Sequence, residues 1–355
     1  MRLATILSES GRNVATGTSH AVGLALGLAI ACGLLSGVDA LTVIGLEQDA
    51  TAYQASAAHV RTVSAPSAVD PDACAALTDS SSVQAAGALV PTEPLIPSAT
   101  PANPLQAFSV TTSLGRVLGV DATHPEGVWV SETLAQTLGL SVGGTLGTSD
   151  GPLVVAGTFP WPQDGRDSRL GLAVLVPTTV DQRYDECWAA GWPTTGAVDD
   201  LLRTVVDLEP QSTEAVTVGQ VNTSLGKSFD AHQAFEERPT RFAPWGCAGV
   251  GFVLGYWGLR RRRLEHAGAR HAGQSRSAQL ATASLETAVW AGAGAVVGGS
   301  ALLVLVTLSG AHDQAAVFRL AAQGVALGAL GALLGATVAV SLVRERHLFR
   351  YFKDR

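Results

Sequence analysis

The chain has 355 residues, 47% of them hydrophobic and only 15% charged, with a formal net charge of −7 and a positive mean hydropathy. That balance departs from an average soluble domain and points to a membrane protein carrying a soluble insert. The middle is acidic, whereas the segment after Leu259 and the tail from Arg344 are basic and lie beside apolar spans, which argues against nucleic acid as a partner.

Residues 1–20 carry Arg2 and Arg12, with Leu3, Ile6 and Leu7 on one helical face, and read as a cytoplasmic segment lying on the inner membrane surface. Residues 21–46 form the first predicted span, uncharged from Ala21 to Val38 and longer than the roughly 20 residues needed to cross the hydrocarbon core. A signal peptide cut near Val38-Asp39-Ala40 is the competing reading, but the apolar run exceeds the about 7–15 residues of a signal core. Asp39 is expected near the outer interface, hydrated, with a functional acid inside the membrane as the alternative.

Residues 47–241 are too polar to span and long enough for their own core. Strands are predicted at His59–Ala65, Ala107–Thr112, Gly127–Ser131, Leu153–Phe159, Leu172–Val176 and Leu202–Leu208. Helical patterns fall at Asp70–Leu77, Ser131–Leu138 and Thr213–Glu236, which gives an α+β domain. Pro91–Pro104 holds five prolines and reads as an extended connector between two lobes. Glu47–Ala57 is expected to prolong the first span outward, and Thr213–Glu236 to lead into the second.

Residues 243–259 form the second predicted span, short but flanked by Trp245, Tyr256 and Trp257 as an interfacial aromatic belt would be. Residues 260–286 form a cytoplasmic loop that opens on Arg260, Arg261, Arg262 and Arg263. Residues 287–308 and 320–343 are the third and fourth spans, joined by an outer turn at 309–319, and 344–355 is a basic inner tail. Positive charge therefore marks both termini and the Arg260 loop as cytoplasmic. The fold class expected is an α-helical membrane protein of four transmembrane helices, with the extracellular α+β domain inserted between helices 1 and 2. Glycines four residues apart, such as Gly251/Gly255 and Gly331/Gly335, suit close helix packing within the chain or across a dimer.

Cys32 and Cys247 fall in apolar runs as small buried side chains. Cys74 and Cys187 fall in the outer domain, where an oxidising space permits a disulfide that spacing alone does not fix. Leu225-Gly226-Lys227-Ser228 looks like the end of a phosphate loop, but the required earlier glycine is Val221, so ATP hydrolysis by this chain is not expected. The eight histidines show no zinc spacing, and His266 and His271 read as solvated. Asp164, Arg166, Asp167 and Arg169 read as a solvated turn. No Gly-x-Ser-x-Gly elbow occurs, and no catalytic, cofactor or metal residue is assigned.

Arg261-Arg262-Arg263-Leu264-Glu265, followed by Arg270, Gly273 and then Glu286, resembles the MacB/FtsX family of ABC-transporter permeases. Val128-Trp129-Val130-Ser131-Glu132, then Leu138-Gly139-Leu140 and Val154-Val155-Ala156-Gly157, looks like part of the MacB-type extracellular domain. The resemblance implies a non-catalytic subunit of the bacterial plasma membrane that pairs with itself or a related permease. A separate ATP-binding subunit would hold ATP and Mg, with Arg261, Arg262, Arg263, Glu265, Arg270, Gly273 and Glu286 coupling to it. The implied function is export or extraction of an amphiphilic compound from the membrane lipid. Regulation of a cell-wall hydrolase, as by FtsX, is the alternative. Where relatives have leucines this chain has His266, Gly268 and His271, which makes a poorer helix.

Overall fold

The computed structural model describes residues 3–122, 126–179, 182–194, 196–207 and 216–343. The basic residues from Arg344 onward, together with Arg2 and Leu208, lie outside the described residues. The chain folds as two compact units, Met1–Gln48 with His232–Arg355, and Asp49–Ala231.

The elements open with α1 (Leu3–Ala15) and α2 (Ala21–Ala55). Next come β1 (Val60–Val69), α3 (Pro71–Ala76), β2 (Ala85–Leu95), β3 (Leu105–Val110), α4 (Leu114–Leu118) and β4 (Asp121–Ala122). Then follow β5 (Val128–Ser131), α5 (Glu132–Leu138), β6 (Thr145–Thr148), β7 (Gly151–Phe159), β8 (Ala173–Pro177), β9 (Tyr184–Ala190), α6 (Gly196–Arg203) and β10 (Thr217–Gln220). The chain returns through α7 (Ala231–Glu237) to α8 (Ala243–Arg261), α9 (Arg263–His271), α10 (Arg276–Leu308) and α11 (Gln314–Ser341).

In the helical unit, α2, α10 and α11 are each long and apolar enough to cross a membrane, and they mark the chain as a membrane protein. The expected second span is α8, a 19-residue helix ending in Arg260 and Arg261. Trp245 and Trp257 are exposed near its two ends. It lies tightly against α11. A Cβ at Gly251, Gly255, Gly331 or Gly335 would fall inside van der Waals contact of a carbonyl oxygen on the facing helix. Only glycine allows that backbone approach. These four-residue steps are therefore used inside the chain. Gly294 faces the Ala25 carbonyl of α2 in a similar way, whereas a Cβ at Gly298 would only just touch Ala29.

At the far end, the Glu47 carboxylate of α2 accepts the backbone N–H groups of His312 and Asp313, at 3.2 and 3.1 Å. Asp313 also caps α11 by accepting the N–H of Ala316. Asp39 departs from its expected hydrated position. It is 1% exposed, and it accepts Arg238 Nε at 2.9 Å. The Arg238 guanidinium also lies over the Phe235 ring and donates to the Phe235 carbonyl. An ionised carboxylate in an apolar helix requires such a partner.

The second unit is built on a ten-stranded sheet of order β10-β1-β9-β2-β3-β8-β5-β7-β4, with β6 on β7. It is mixed: β3–β8 and β5–β7 are parallel and the other pairs antiparallel. Helix starts follow their caps. Asp70 accepts the N–H groups of Asp72 and Ala73, with Pro71 at the first turn of α3. Ser131 accepts Leu134 N–H to open α5, and Gly139, at φ +65°, ends it.

Three expectations change. Residues 202–203 close α6, whose Val198 and Leu202 are buried one turn apart, and among the described residues of that stretch only Val206 pairs in β fashion, with Val69. Of the expected helix over 213–236, residues 213–215 lie outside the described residues, Thr217–Gln220 is β10, hydrogen-bonded to β1, and among the described residues only Ala231–Glu237 is helical; Gly219 and Gly226 disfavour a helix between them. Pro91–Pro104 does not divide the domain. Its first half completes β2, with a register shift between Thr92 and Leu95. Its second half straps onto β6, through Ser98 N–H to the Gly147 carbonyl and a Pro97–Thr148 bridge.

Candidate functional site

The inner end of the helical unit gathers most of the coupling residues. The chain turns at Arg262, the last cap of α8 and the first of α9. Its Nε donates to Glu265 Oε2 at 2.8 Å, and its Nη1 donates to Glu286 Oε2 at 2.6 Å. The other Glu286 oxygen accepts Asn13 Nδ2 from α1 at 2.6 Å. One buried carboxylate thus clasps α1, the α8–α9 corner and α10. Such charge-assisted bonds are the strong ones, and burial keeps them unscreened.

α9 lies with His266 and Ala267 buried. Gln279 of α10 donates Nε2 to the His266 carbonyl at 2.8 Å. The imidazole is therefore not solvated as expected. Burial first, and the Arg262 charge second, push its pKa down to about 4. At neutral pH it is an uncharged ring in the wall of this corner.

The remaining sequence-assigned residues take separate positions. Arg261 stacks over Trp257 at 3.6 Å. Arg263 opens α9 and is half-buried. The Arg270 guanidinium donates to the Val343 carbonyl just beyond α11. Gly273 is the stop of α9: at φ +93° its N–H returns to the Arg270 carbonyl, while Gln274 N–H returns to Ala269. This paired closure requires a left-handed residue, hence glycine. Ser275 then caps α10 by accepting Ala278 N–H. Asn13 and Gln279 carry no motif and were not assigned. Gln279, Thr282 and Glu286 do share one face of α10 by spacing, and all three are buried.

In the sheet unit, Cys74 of α3 and Cys187 of β9 form a disulfide with Cα atoms 5.9 Å apart. The Asp164–Arg169 loop is pinned where a solvated turn was expected. Arg166 donates to Asp164, to Pro160 and to the Ala55 carbonyl. Arg169 grips Glu186 through two bonds of 2.7 and 3.2 Å, and Glu186 also accepts Trp188 Nε1. Glu186 foremost raises the pKa of Arg169 above its ordinary value.

No protein-family model matches the sequence. No curated protein matches it either. Solved structures do show similarity. The periplasmic region of MacB from Actinobacillus actinomycetemcomitans aligns over 46% of this chain and 90% of its own, at 10% identity and a TM-score of 0.34. The extracellular domain of the noncanonic ABC-type transporter YknZ from Gram-positive bacteria aligns over 45% of this chain and all of its own, at 12% identity and a TM-score of 0.32.

Proposed function

We propose that this chain is the membrane subunit of a MacB/FtsX-type ABC system. In this reading α8 joins α2, α10 and α11 as a fourth span, and residues 49–231 lie outside the plasma membrane. The chain pairs with a second permease. A separate subunit binds ATP and Mg beneath α9, and its closure displaces that short helix. The motion is passed to the outer domain, which exports or extracts an amphiphilic compound such as a peptide, an antibiotic or a lipid-linked molecule.

The Glu286 clasp is the observation that supports this best. A short basic helix on a loose loop would absorb a push. Here Arg262, Glu265, Glu286 and Asn13 tie the start of α9 to α10 and α1, while Arg270 ties its end to Val343. Force on α9 is thereby delivered to the membrane helices.

The test is co-purification. An ATP-binding protein should accompany the wild-type chain and be lost from the Glu265→Ala, Arg270→Ala double variant. Unaltered binding by that variant removes the docking assignment. In the purified complex, ATPase stimulation by an amphiphile supports transport. ATP-dependent capture of a wall hydrolase without any such stimulation supports the regulator reading instead.

A further inference from the structure

Between α1, α9 and α10 lies a cavity of about 140 Å3. Its wall sets three carboxylates, Glu9, Glu265 and Glu286, against one guanidinium, Arg262, beside the amides of Asn13, Gln274 and Gln279. Glu9 of α1 makes no hydrogen bond or ion pair among the described residues. Among the described residues Glu265 receives only Arg262, on Oε2. Gln279 is 1% exposed and spends its amide Nε2 on the His266 carbonyl, so that Oε1 is left without a partner. His266, 9% exposed, leaves Nε2 unpartnered, and this nitrogen accepts when the ring proton sits on Nδ1. Arg262, the cation in this wall, is already engaged by Glu265 and Glu286.

Two buried polar atoms without partners, Gln279 Oε1 and His266 Nε2, are a sizeable cost to the fold. Water relieves part of that cost. It does not answer the charge: three carboxylates, Glu9, Glu265 and Glu286, face one guanidinium across a wall whose histidine is neutral at physiological pH. The group that completes the wall carries positive charge and several N–H donors in a compact shape. A guanidinium has five such donors in a planar fork, enough to reach an amide oxygen, an imidazole nitrogen and a carboxylate together.

We propose that this cavity receives a single arginine side chain from the nucleotide-binding partner, with Gln279 and His266 as its floor and Glu9 and Glu265 at its mouth. The inference rests on the docking reading, since α9 forms one wall of the cavity. Glu265, with 61% of its side chain exposed, is placed to meet the incoming charge first. Arginine is also suited to desolvated ion pairs at interfaces and is enriched, with Trp and Tyr, among the residues that anchor them.

The test separates the cavity from the partner. The purified full-length chain in detergent is titrated with N-acetyl-arginine amide, and in parallel with the citrulline analogue, which keeps the shape and lacks the charge. Binding is read by calorimetry. The arginine probe should bind at least about tenfold more tightly than the citrulline probe, the discrimination expected of a charge-assisted pair. Gln279→Leu and Glu9→Gln should each weaken it, with melting temperatures reported alongside to confirm folding. Equal affinity for the two probes, no binding at tens of millimolar, or binding unchanged in both folded variants overturns the proposal. If an ATP-binding protein co-purifies equally with wild type and with these variants, the docking reading survives and the arginine receptor fails. If the probe binds as expected but no such protein is ever recovered, the cavity stands and the partner assignment fails.

Discussion

Arg262 holds two carboxylates at the α8–α9 corner, and Glu286 is only 4% exposed. Arg262→Ala leaves that carboxylate buried without its cation, a change expected to cost about 3–5 kcal/mol. Arg261→Ala removes only a stack on Trp257 and should cost about 0.5–1 kcal/mol. Thermal unfolding of the detergent-solubilised variants checks the ranking; equal losses would show that the Glu286 clasp is not the stabilising contact. His266 supplies a pH signature. Its pKa lies near 4 in the fold against 6.5 for an ordinary histidine. Between those values the unfolded chain binds the extra proton, so the ring's contribution is whole above pH 6.5 and is lost as pH falls toward 4. Protection factors of the α9 amides, taken against the intrinsic exchange rate at each pH, should fall across that window, and His266→Gln should flatten the response. Neither the special place of Arg262 nor the burial of His266 was legible in the sequence. Four consecutive arginines are equivalent on paper, and only the turn between α8 and α9 points one of them inward. Asp39 likewise finds its partner 199 positions away, a separation no local pattern reveals.

At the level of elements, the apolar helices were legible because hydropathy over a long window is a strong signal, and α3 and α5 announced themselves through Asp70-Pro71 and Ser131-Glu132. The strands β2 and β9 did not. Ala85 to Leu89 and Glu186 to Ala190 are buried at every position, so the apolar–polar alternation that marks a half-exposed strand is missing. Thr213–Glu236 misled in the other direction: its polar run looked helical, yet Thr217–Gln220 is taken up as a strand by the edge of β1. The disulfide joins two such elements, α3 and β9, across 113 positions. A loop of that length gives about 5 kcal/mol in the chain-entropy account. Reduction, or Cys74→Ala with Cys187→Ala, should destabilise the full chain by a comparable free energy, read as a lower melting temperature. Labelling of either thiol in intact cells before reductant is added would show that the bridge is absent in the cell.

For the whole molecule, the reading places Arg263 and residues 49–231 on opposite faces of one membrane. Epitope tags at the two places should be reached by antibody only after permeabilisation for the first, and without it for the second; equal access to both ends the scheme. A mechanical corollary comes from the way α8 meets α11. Their seam is closed by glycines against carbonyl oxygens, with Tyr256 and Leu259 of α8 packed beside it on Ala336, Ala339 and Val340 of α11, so the pair is expected to resist shear and to move as one plate. α9 continues directly from α8 and is pinned by Arg270 just past the far end of α11, which braces that plate as a closed triangle. Since Arg262, Glu286 and Gln279 tie the triangle to α10, the stroke of the proposed system is expected where these helices ride on α2, and a crosslink there should arrest it.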